Sequence, residues 1–136
     1  MGTATSHHIP DEVETIDWSA AAEQCGGDES FLKEMLEIMH VEIKSYTVNL
    51  RHAVVANEMD STRQIAHAIK GVATNLMCHR LRSIALHVET MAKWGIWLDR
   101  DSVDVKHSKE DLEKSMCVLE KELQAVEVEI CKHYTT

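Results

Sequence analysis

Hydrophobic and polar residues alternate along the chain with the period of an α-helix. In four long stretches the apolar residues step by three and four, which places them on one face of a helix. Two of these seams consist of Leu32, Leu36, Met39, Ile43, Tyr46 and Leu50, and of Leu112, Met116, Leu119, Leu123, Val126 and Ile130. The other two consist of Ile65, Ile69, Val72 and Leu76, and of Leu81, Ile84, Val88 and Met91. No useful length alternates with a period of two, so the pattern predicts four long helices and no sheet.

Capping residues predict where the first helices begin and end. Asp17 can cap a short helix through the segment WSAAAEQC, which the glycines at 26–27 end. Asp28 directly follows these glycines and is a suitable cap for the first long helix. The chain is therefore expected to open with one short helix and one long one.

Similar signals set the boundaries of the later helices. The third helix is expected to start near Asp60 or Ser61, and the fourth to end around Gly95. Ser108, with Asp111 three residues later, resembles a capping box. This pair predicts the start of the last helix.

Four helices with one apolar seam each cannot bury those seams separately. Packing them around a common axis, at the slight angle that the three-four spacing favours, predicts an all-α fold, an antiparallel four-helix bundle. The short first helix is expected to cap one end of the bundle. Residues 1–15 are polar, contain the only proline and show no periodicity. We therefore expect a loose N-terminal arm at 1–15 and one bundle domain at 16–136.

The balance of charge narrows the classes of partner. At −9 overall, the chain should be repelled by nucleic acid and by anionic membranes. Residues 61–88, however, contain no Asp or Glu, so this window carries +4 and the remainder of the chain −13. A basic patch on an acidic protein indicates a specific anionic target rather than a polyanion.

Cysteine usage and hydropathy indicate the compartment. The four cysteines form no C-x-x-C pair, so we expect reduced, mostly buried thiols. No apolar run approaches the roughly 18 residues of a membrane span, and no signal peptide is visible. A cytoplasmic protein is expected, which would also reach the nucleus if it is eukaryotic.

The histidines do not indicate a metal site. His7 and His8 lie in the expected loose arm, where an organised site is not expected. Cys78, His79 and His87 lack the paired spacing of zinc ligands. No metal ligands are therefore assigned.

One glycine looks out of place in the third helix. Gly71 lies in the middle of IAHAIKGVATNLM, where glycine costs about 1 kcal/mol relative to alanine. At about 100° per residue, His67 points roughly 170° away from the apolar seam of this helix. Arg63, Lys70, Gly71 and Thr74 share that half of the helix. An unimportant surface histidine would leave the glycine unexplained.

A reactive histidine that another protein must reach explains these residues together. An exposed neutral imidazole is a nitrogen nucleophile near pH 7. Lys70, one turn further along the same face, can meet the charge of an anion bound to that nitrogen. Gly71 removes a side chain beside the imidazole and leaves room for the partner's backbone. The pattern is typical of a histidine that becomes phosphorylated.

The sequence here resembles the histidine-containing phosphotransfer (HPt) domain of multistep two-component signalling. The family motif His-x-x-Lys-Gly reads His67-Ala68-Ile69-Lys70-Gly71 in this chain, and GGDESFLKEMLEIM resembles the family's second helix. The resemblance covers roughly residues 15–132. Where the family usually has a second glycine, ten residues after the histidine, this chain has Met77. A change in partner fit or helix packing is expected from that departure, rather than loss of phosphorylation.

The resemblance implies a relay rather than an autonomous kinase. His67 would take a phosphoryl group from a receiver aspartate and give it to another, with Lys70 stabilising the group and Gly71 providing clearance. Arg63, Gln64 and Thr74 would line the docking surface. The partners would be receiver domains of hybrid histidine kinases and of response regulators, which supply the Mg²⁺, so the chain needs no cofactor of its own. A monomer is expected.

Two alternatives remain open at this point. The chain could be a helical interaction module that binds a partner without phosphotransfer, a degenerate HPt domain. It could also be an HPt segment excised from a hybrid sensor kinase.

Overall fold

The structure is a computed structural model, and it describes residues 15–97 and 103–135. Five α-helices follow one another, and no strand occurs among the described residues: α1 (Trp18–Gln24), α2 (Glu29–Val55), α3 (Met59–Asn75), α4 (His79–Trp97) and α5 (Val103–Thr135). The all-α prediction is confirmed. The arm expected at 1–15 lies outside the described residues apart from Thr15.

The predicted caps of the first two helices are confirmed. The Asp17 carboxylate accepts a hydrogen bond from the Ala20 N–H at 3.1 Å, and the Asp28 carboxylate accepts one from the Phe31 N–H at 3.1 Å. Between the helices, Gly26 and Gly27 have φ angles of +68° and +82°, a left-handed conformation that L side chains rarely adopt. The chain therefore turns sharply from α1 into α2.

The helices α2 to α5 bury one continuous apolar core. Its largest fully buried side chains are Leu36, Ile43, Leu50, Val54, Ile69, Leu81, Val88, Leu112, Met116, Leu119 and Val126, joined by Ile16 from the segment before α1. At the interface of α2 and α5, the Arg51 guanidinium donates two hydrogen bonds to Glu120, at 2.7 and 2.6 Å. This bidentate pair holds the pKa of the Glu120 carboxyl group below its usual value.

The short helix α1 caps one end of the bundle, as predicted. The Asp17 N–H donates to the Met77 carbonyl at 2.9 Å, and the Asp17 carboxylate lies 3.5 Å from the His79 ring. The Trp18 indole stacks on the His133 ring with 3.9 Å between the centroids. The start of α1 is thus attached both to the turn between α3 and α4 and to the end of α5.

Two helix boundaries differ from the predictions. Gly95 lies inside α4, which continues to Trp97. Ser108 lies inside α5, which already begins at Val103. The helix α4 continues beyond its predicted end, and α5 begins before its predicted start. Each local signal is worth only about 1 kcal/mol, and each residue added to an existing helix contributes a further backbone hydrogen bond.

The buried face of α3 is also rotated from the predicted one. Of the predicted seam, Ile69 and Leu76 are fully buried, but Ile65 and Val72 are only partly buried. The other fully buried positions of this helix are the small residues Thr62, Ala66 and Ala73. A pattern built on large apolar residues did not count these small ones, which bring α3 close to its neighbours.

Met77 occupies a left-handed position directly after α3, with φ at +58°. The Cys78 N–H donates to the Ala73 carbonyl at 2.9 Å, and the Met77 N–H donates to the Thr74 carbonyl at 3.1 Å. These two bonds form a Schellman motif, in which glycine normally occupies the left-handed residue. The backbone therefore explains why a glycine is usual here, and the methionine adopts the same conformation at a cost of roughly 1 kcal/mol.

Paired substitutions should reveal this strain. Met77→Gly is expected to be about 1 kcal/mol more stable than Met77→Ala, because both remove the same side chain but only alanine resists the positive φ. Urea unfolding of the two variants measures the difference. Gly71, inside a helix, provides the opposite control: there, alanine should be more stable than glycine. Equal stability of the two Met77 variants would contradict the strain.

Candidate functional site

His67 lies in the middle of α3, and its side chain is 65% exposed. The predicted orientation, away from the core, is therefore confirmed. Arg63, Gln64, Gly71 and Thr74 lie on the same side of the helix, and Gln64, Gly71 and Thr74 are exposed while Arg63 is half-buried. The structure thus brings the residues predicted from the sequence together on one helix face.

Gly71 has open space around it. A Cβ atom placed on this residue would meet nothing within 4 Å outside the helix itself. The packing of the isolated chain therefore does not require a glycine here.

His67 and Lys70 meet at a residue that the sequence did not single out. The His67 Nδ1 atom lies 2.8 Å from Glu89 Oε2, and the Lys70 ammonium lies 2.8 Å from Glu89 Oε1. Glu89 belongs to α4, 22 residues after His67, and its side chain is 17% exposed. A carboxylate on the neighbouring helix therefore joins the histidine and the lysine.

The pKa of Glu89 shows that its carboxylate is ionised at neutral pH. Burial alone would raise this pKa, but the hydrogen bonds from Lys70 and from His67 outweigh that effect and lower it below its usual value. An ionised carboxylate only accepts hydrogen bonds, so Nδ1 of His67 is the protonated, donating nitrogen. In the neutral ring, Nε2 then keeps its lone pair. Within the described part of the chain, Nε2 has no hydrogen-bond partner.

Small side chains explain how Glu89 reaches His67. Helices α3 and α4 form the most extensive helix pair among the described residues. Ala66 and Ala73 on α3, and Ala85 and Ala92 on α4, are completely buried. Because the distance between two packed helices depends on the side chains between them, these alanines allow a close approach.

A second carboxylate, that of Asp60, orients two of the predicted docking residues. Asp60 in the first turn of α3 accepts hydrogen bonds from Arg63 at 3.0 Å and from Gln64 at 2.9 Å. The Thr74 hydroxyl donates to the Lys70 carbonyl at 2.8 Å. These contacts fix three predicted docking residues along the helix, on either side of His67.

The basic patch inferred from residues 61–88 is largely neutralised within the fold, which corrects that expectation. Three of its four basic residues form ion pairs with carboxylates from outside the window, at 2.8 to 3.0 Å. The pairs are Arg63 with Asp60, Lys70 with Glu89 and Arg80 with Glu122. In the described part of the chain, only Arg82 of this window has no ion pair. The Lys70 and Arg80 pairs join charges that are distant in the sequence, whereas Arg63 and Asp60 lie one turn apart on α3.

One weak signal in the sequence points to Glu89. It is the first acidic residue after the acid-free window. Its role depends on the packing of α4 against α3, which the helical period of one segment does not reveal.

The cysteines depart from expectation. Only Cys78 is buried, whereas Cys25 is half-buried and Cys117 and Cys131 are exposed. Burial raises the pKa of the Cys78 thiol to about 12, so this thiol stays protonated.

Two kinds of feature are absent from residues 15–97 and 103–135. No cluster of three or more His, Cys, Asp or Glu residues has the arrangement needed to hold a metal ion. No helix in these ranges has the length and apolar character needed to cross a membrane.

Comparison with known proteins points to one family. A family model described as the Hpt domain matches residues 34–129 of this chain. The fold is similar to a crystal structure of the HPT domain from the Hpt sensor hybrid histidine kinase of Shewanella, with a TM-score of 0.69 and 18% identity. The superposition covers 89% of this chain and 94% of that one. No curated protein matches the chain in sequence.

Proposed function

Because this chain belongs to the Hpt domain family, we propose that it relays a phosphoryl group between receiver-domain aspartates through phosphohistidine at His67. The family consists of phosphorelay carriers rather than kinases. The observation that carries the proposal is the exposed imidazole of His67, whose Nδ1 is bound to Glu89 while Nε2 has no partner among the described residues. A nucleophilic nitrogen is thereby presented to an approaching protein.

The first transfer is a displacement at phosphorus. The Nε2 lone pair attacks the phosphorus of a receiver phosphoaspartate, the new P–N bond forms, and the P–O bond to the aspartate breaks. The aspartate leaves as a carboxylate. The receiver would supply the Mg²⁺ that neutralises charge on the phosphoryl oxygens.

Glu89 assists because the ring becomes positive. Nε2 gives its electron pair to phosphorus while Nδ1 keeps its proton, so the phosphorylated imidazole gains a positive charge. The ionised Glu89 carboxylate, 2.8 Å from Nδ1, stabilises that charge and holds the ring in one orientation. In the second transfer, the aspartate of another receiver attacks the phosphorus, and neutral imidazole leaves.

Lys70 does not lie beside the nitrogen that would be phosphorylated, although its spacing from His67 in the sequence indicates that it would. Its ammonium pairs with Glu89, on the Nδ1 side of the ring, and not with Nε2. We therefore assign Lys70 two roles: it keeps Glu89 ionised, and it provides a positive charge one helical turn from the phosphoryl group.

Direct phosphorylation tests the relay. Receivers of the source organism, labelled on their aspartates, are each mixed with this protein, and the label transferred to it is measured. The label should resist alkali and be lost in acid, as expected for a phosphoramidate bond. If no receiver transfers label, or if the label is lost in alkali instead, the proposal fails.

Gly71 gives a graded test of the docking surface. Both Gly71→Ala and Gly71→Leu should raise the free energy of unfolding by about 0.5 to 1 kcal/mol, because each is a better helix former in an open position. Only leucine should weaken receiver binding, by roughly ten-fold or more, because its side chain occupies space needed by the partner. Calorimetric titration with an unphosphorylated receiver measures this. Full affinity of the leucine variant would remove the clearance role.

A further inference from the structure

The outward face of α2 carries an apolar stripe. Five large apolar side chains on this helix are between 47% and 66% exposed: Phe31, Ile38, Val41, Val48 and Val55. They are separated by seven, three, seven and seven residues. This is the spacing of the first and fourth positions of a heptad, the seam through which coiled-coil helices meet.

The stripe is separate from the face that builds the core. Leu36, Ile43 and Leu50 are completely buried and lie one heptad apart on α2. At about 100° per residue, the centre of the stripe lies about 170° from these core residues. The helix therefore has two apolar faces, and the described residues cover only one of them.

The chemistry of the stripe is largely symmetric about its middle. Phe31 and Val55 lie twelve residues on either side of Ile43, and Ile38 and Val48 lie five residues on either side. The two remaining outer positions of the heptad pattern, Glu34 and His52, lie nine residues on either side. Val41 and Ser45 lie two residues on either side of Ile43 and differ in polarity. Three of the four mirrored pairs therefore match: two set an apolar residue against an apolar one, and one sets an acid against a base.

We propose that a second copy of this chain covers the stripe, with the two α2 helices antiparallel around a two-fold axis at Ile43. An isologous interface requires each patch to be complementary to itself, and three of the four mirrored pairs of the stripe meet that requirement, Val41 with Ser45 being the exception. Phe31 then packs against the second copy's Val55, and Ile38 packs against the second copy's Val48. A parallel pair would instead set each residue against itself and oppose the two Glu34 carboxylates.

Charges at the edges favour the antiparallel arrangement. Glu34 faces the second copy's His52. Glu37 lies on the same side as the second copy's Arg51, whose guanidinium is already paired with Glu120 of its own chain. Lys44 lies nearest to the axis, so the Lys44 side chains of the two copies would approach each other. It is exposed, and its flexible stem allows the ammonium to turn toward solvent.

The size of the surface sets the expected affinity. The stripe runs through 24 residue steps of α2, about 36 Å of helix. One such helix pair buries an area near the lower end of specific interfaces, which begin at about 1,200 Å² in total. We expect a reversible dimer with a Kd of roughly 1 to 100 µM. This departs from the monomer expected from the sequence alone, and it does not rest on the phosphotransfer proposed above.

Sedimentation analysis over a range of concentrations tests the proposal. With rising concentration, the mass should move from 15.4 kDa toward twice that value. Ile38→Glu should weaken the dimer at least about ten-fold, because each copy then sets a carboxylate against an apolar side chain. The double variant Ile38→Glu with Val48→Lys should restore it, because the antiparallel register opposes the two new charges. Val118→Glu, at an exposed apolar residue of α5, is the matched control and should leave the mass distribution unchanged.

Each outcome decides the question. A protein that stays monomeric up to about 1 mM would overturn the proposal and leave the stripe to a different partner. A dimer that survives Ile38→Glu, or one that Val118→Glu also weakens, would place the interface elsewhere. Failure of the double variant to dimerise, with its helical circular dichroism intact, would overturn the antiparallel register and with it the proposal.

Discussion

Replacing His67 with glutamine is expected to abolish phosphoryl acceptance, with a loss of at least about a thousand-fold in the transfer rate. The amide has no lone pair that can form a stable bond to phosphorus, so the relay has no carrier atom. The fold should survive, because the His67 side chain is 65% exposed and glutamine is a good helix former. Rapid-quench transfer from a labelled receiver measures the loss.

The matched control is His87→Gln, which changes an exposed histidine on α4. It should leave the transfer rate unchanged. Receiver affinity of the His67→Gln variant should also stay close to that of the native protein, since the ring is only one part of the docking face. Labelling of the His67→Gln variant at the native rate would move the phosphoacceptor to another residue. A native protein that binds receivers tightly but accepts no label would instead be an interaction module.

Replacing Glu89 with leucine is expected to slow transfer by roughly 10- to 100-fold. Without the carboxylate, Nδ1 loses its acceptor at 2.8 Å, and the proton is then free to reside on Nε2. That tautomer is not nucleophilic at the outward nitrogen. The loss of the negative charge also removes the stabilisation of the positive ring in the phosphorylated state.

Nitrogen NMR of His67 separates this positioning role from a merely structural one. The native protein should show the tautomer protonated at Nδ1, whereas Glu89→Leu should show a mixture. Glu89→Gln is the conservative control: its amide oxygen can accept from Nδ1, so it should recover the tautomer and part of the rate. A single Nδ1-protonated tautomer in the leucine variant would contradict the role given to Glu89.

Much of the fold follows from local patterns in the sequence. The seam of α2 steps regularly through Leu36, Ile43 and Leu50, and all three are completely buried. The caps Asp17 and Asp28 act on the helices they directly precede. In these cases, the sequence signal lies within a few residues of the structure that it specifies. One segment of the sequence is therefore sufficient to predict that structure.

The wrong predictions concern features of one helix that depend on its contacts with the rest of the fold. The buried face of α3 is set partly by Ala66 and Ala73, whose small side chains carry little weight in a hydrophobic pattern but fit a close helix pair. Ser108 has the local features of a cap, yet α5 already begins at Val103. The sequence alone could not predict either result, because each depends on the free energy of packing or of helix extension, which the local residue pattern does not contain.

The candidate site likewise contains residues that local sequence predicts and residues that only the fold reveals. His67, Lys70 and Gly71 were recognisable because helical spacing puts them on one face. Glu89 was missed because its contact to His67 spans 22 residues and two helices. The meaning of Met77 also became clear only from its φ angle of +58°, which identifies the position as a helix terminus suited to glycine.

The position of Glu89 beside His67 depends on how closely α3 and α4 pack, and both helices carry completely buried alanines, Ala66 and Ala73 on α3 and Ala85 and Ala92 on α4. If Ala85 or Ala92 gained even two carbon atoms, the helices would have to separate, and Glu89 would move away from the ring. The proton could then change nitrogens although every surface residue stayed in place. In the proposed relay, the packing of a few buried methyl groups would therefore determine which ring nitrogen of His67 keeps its lone pair.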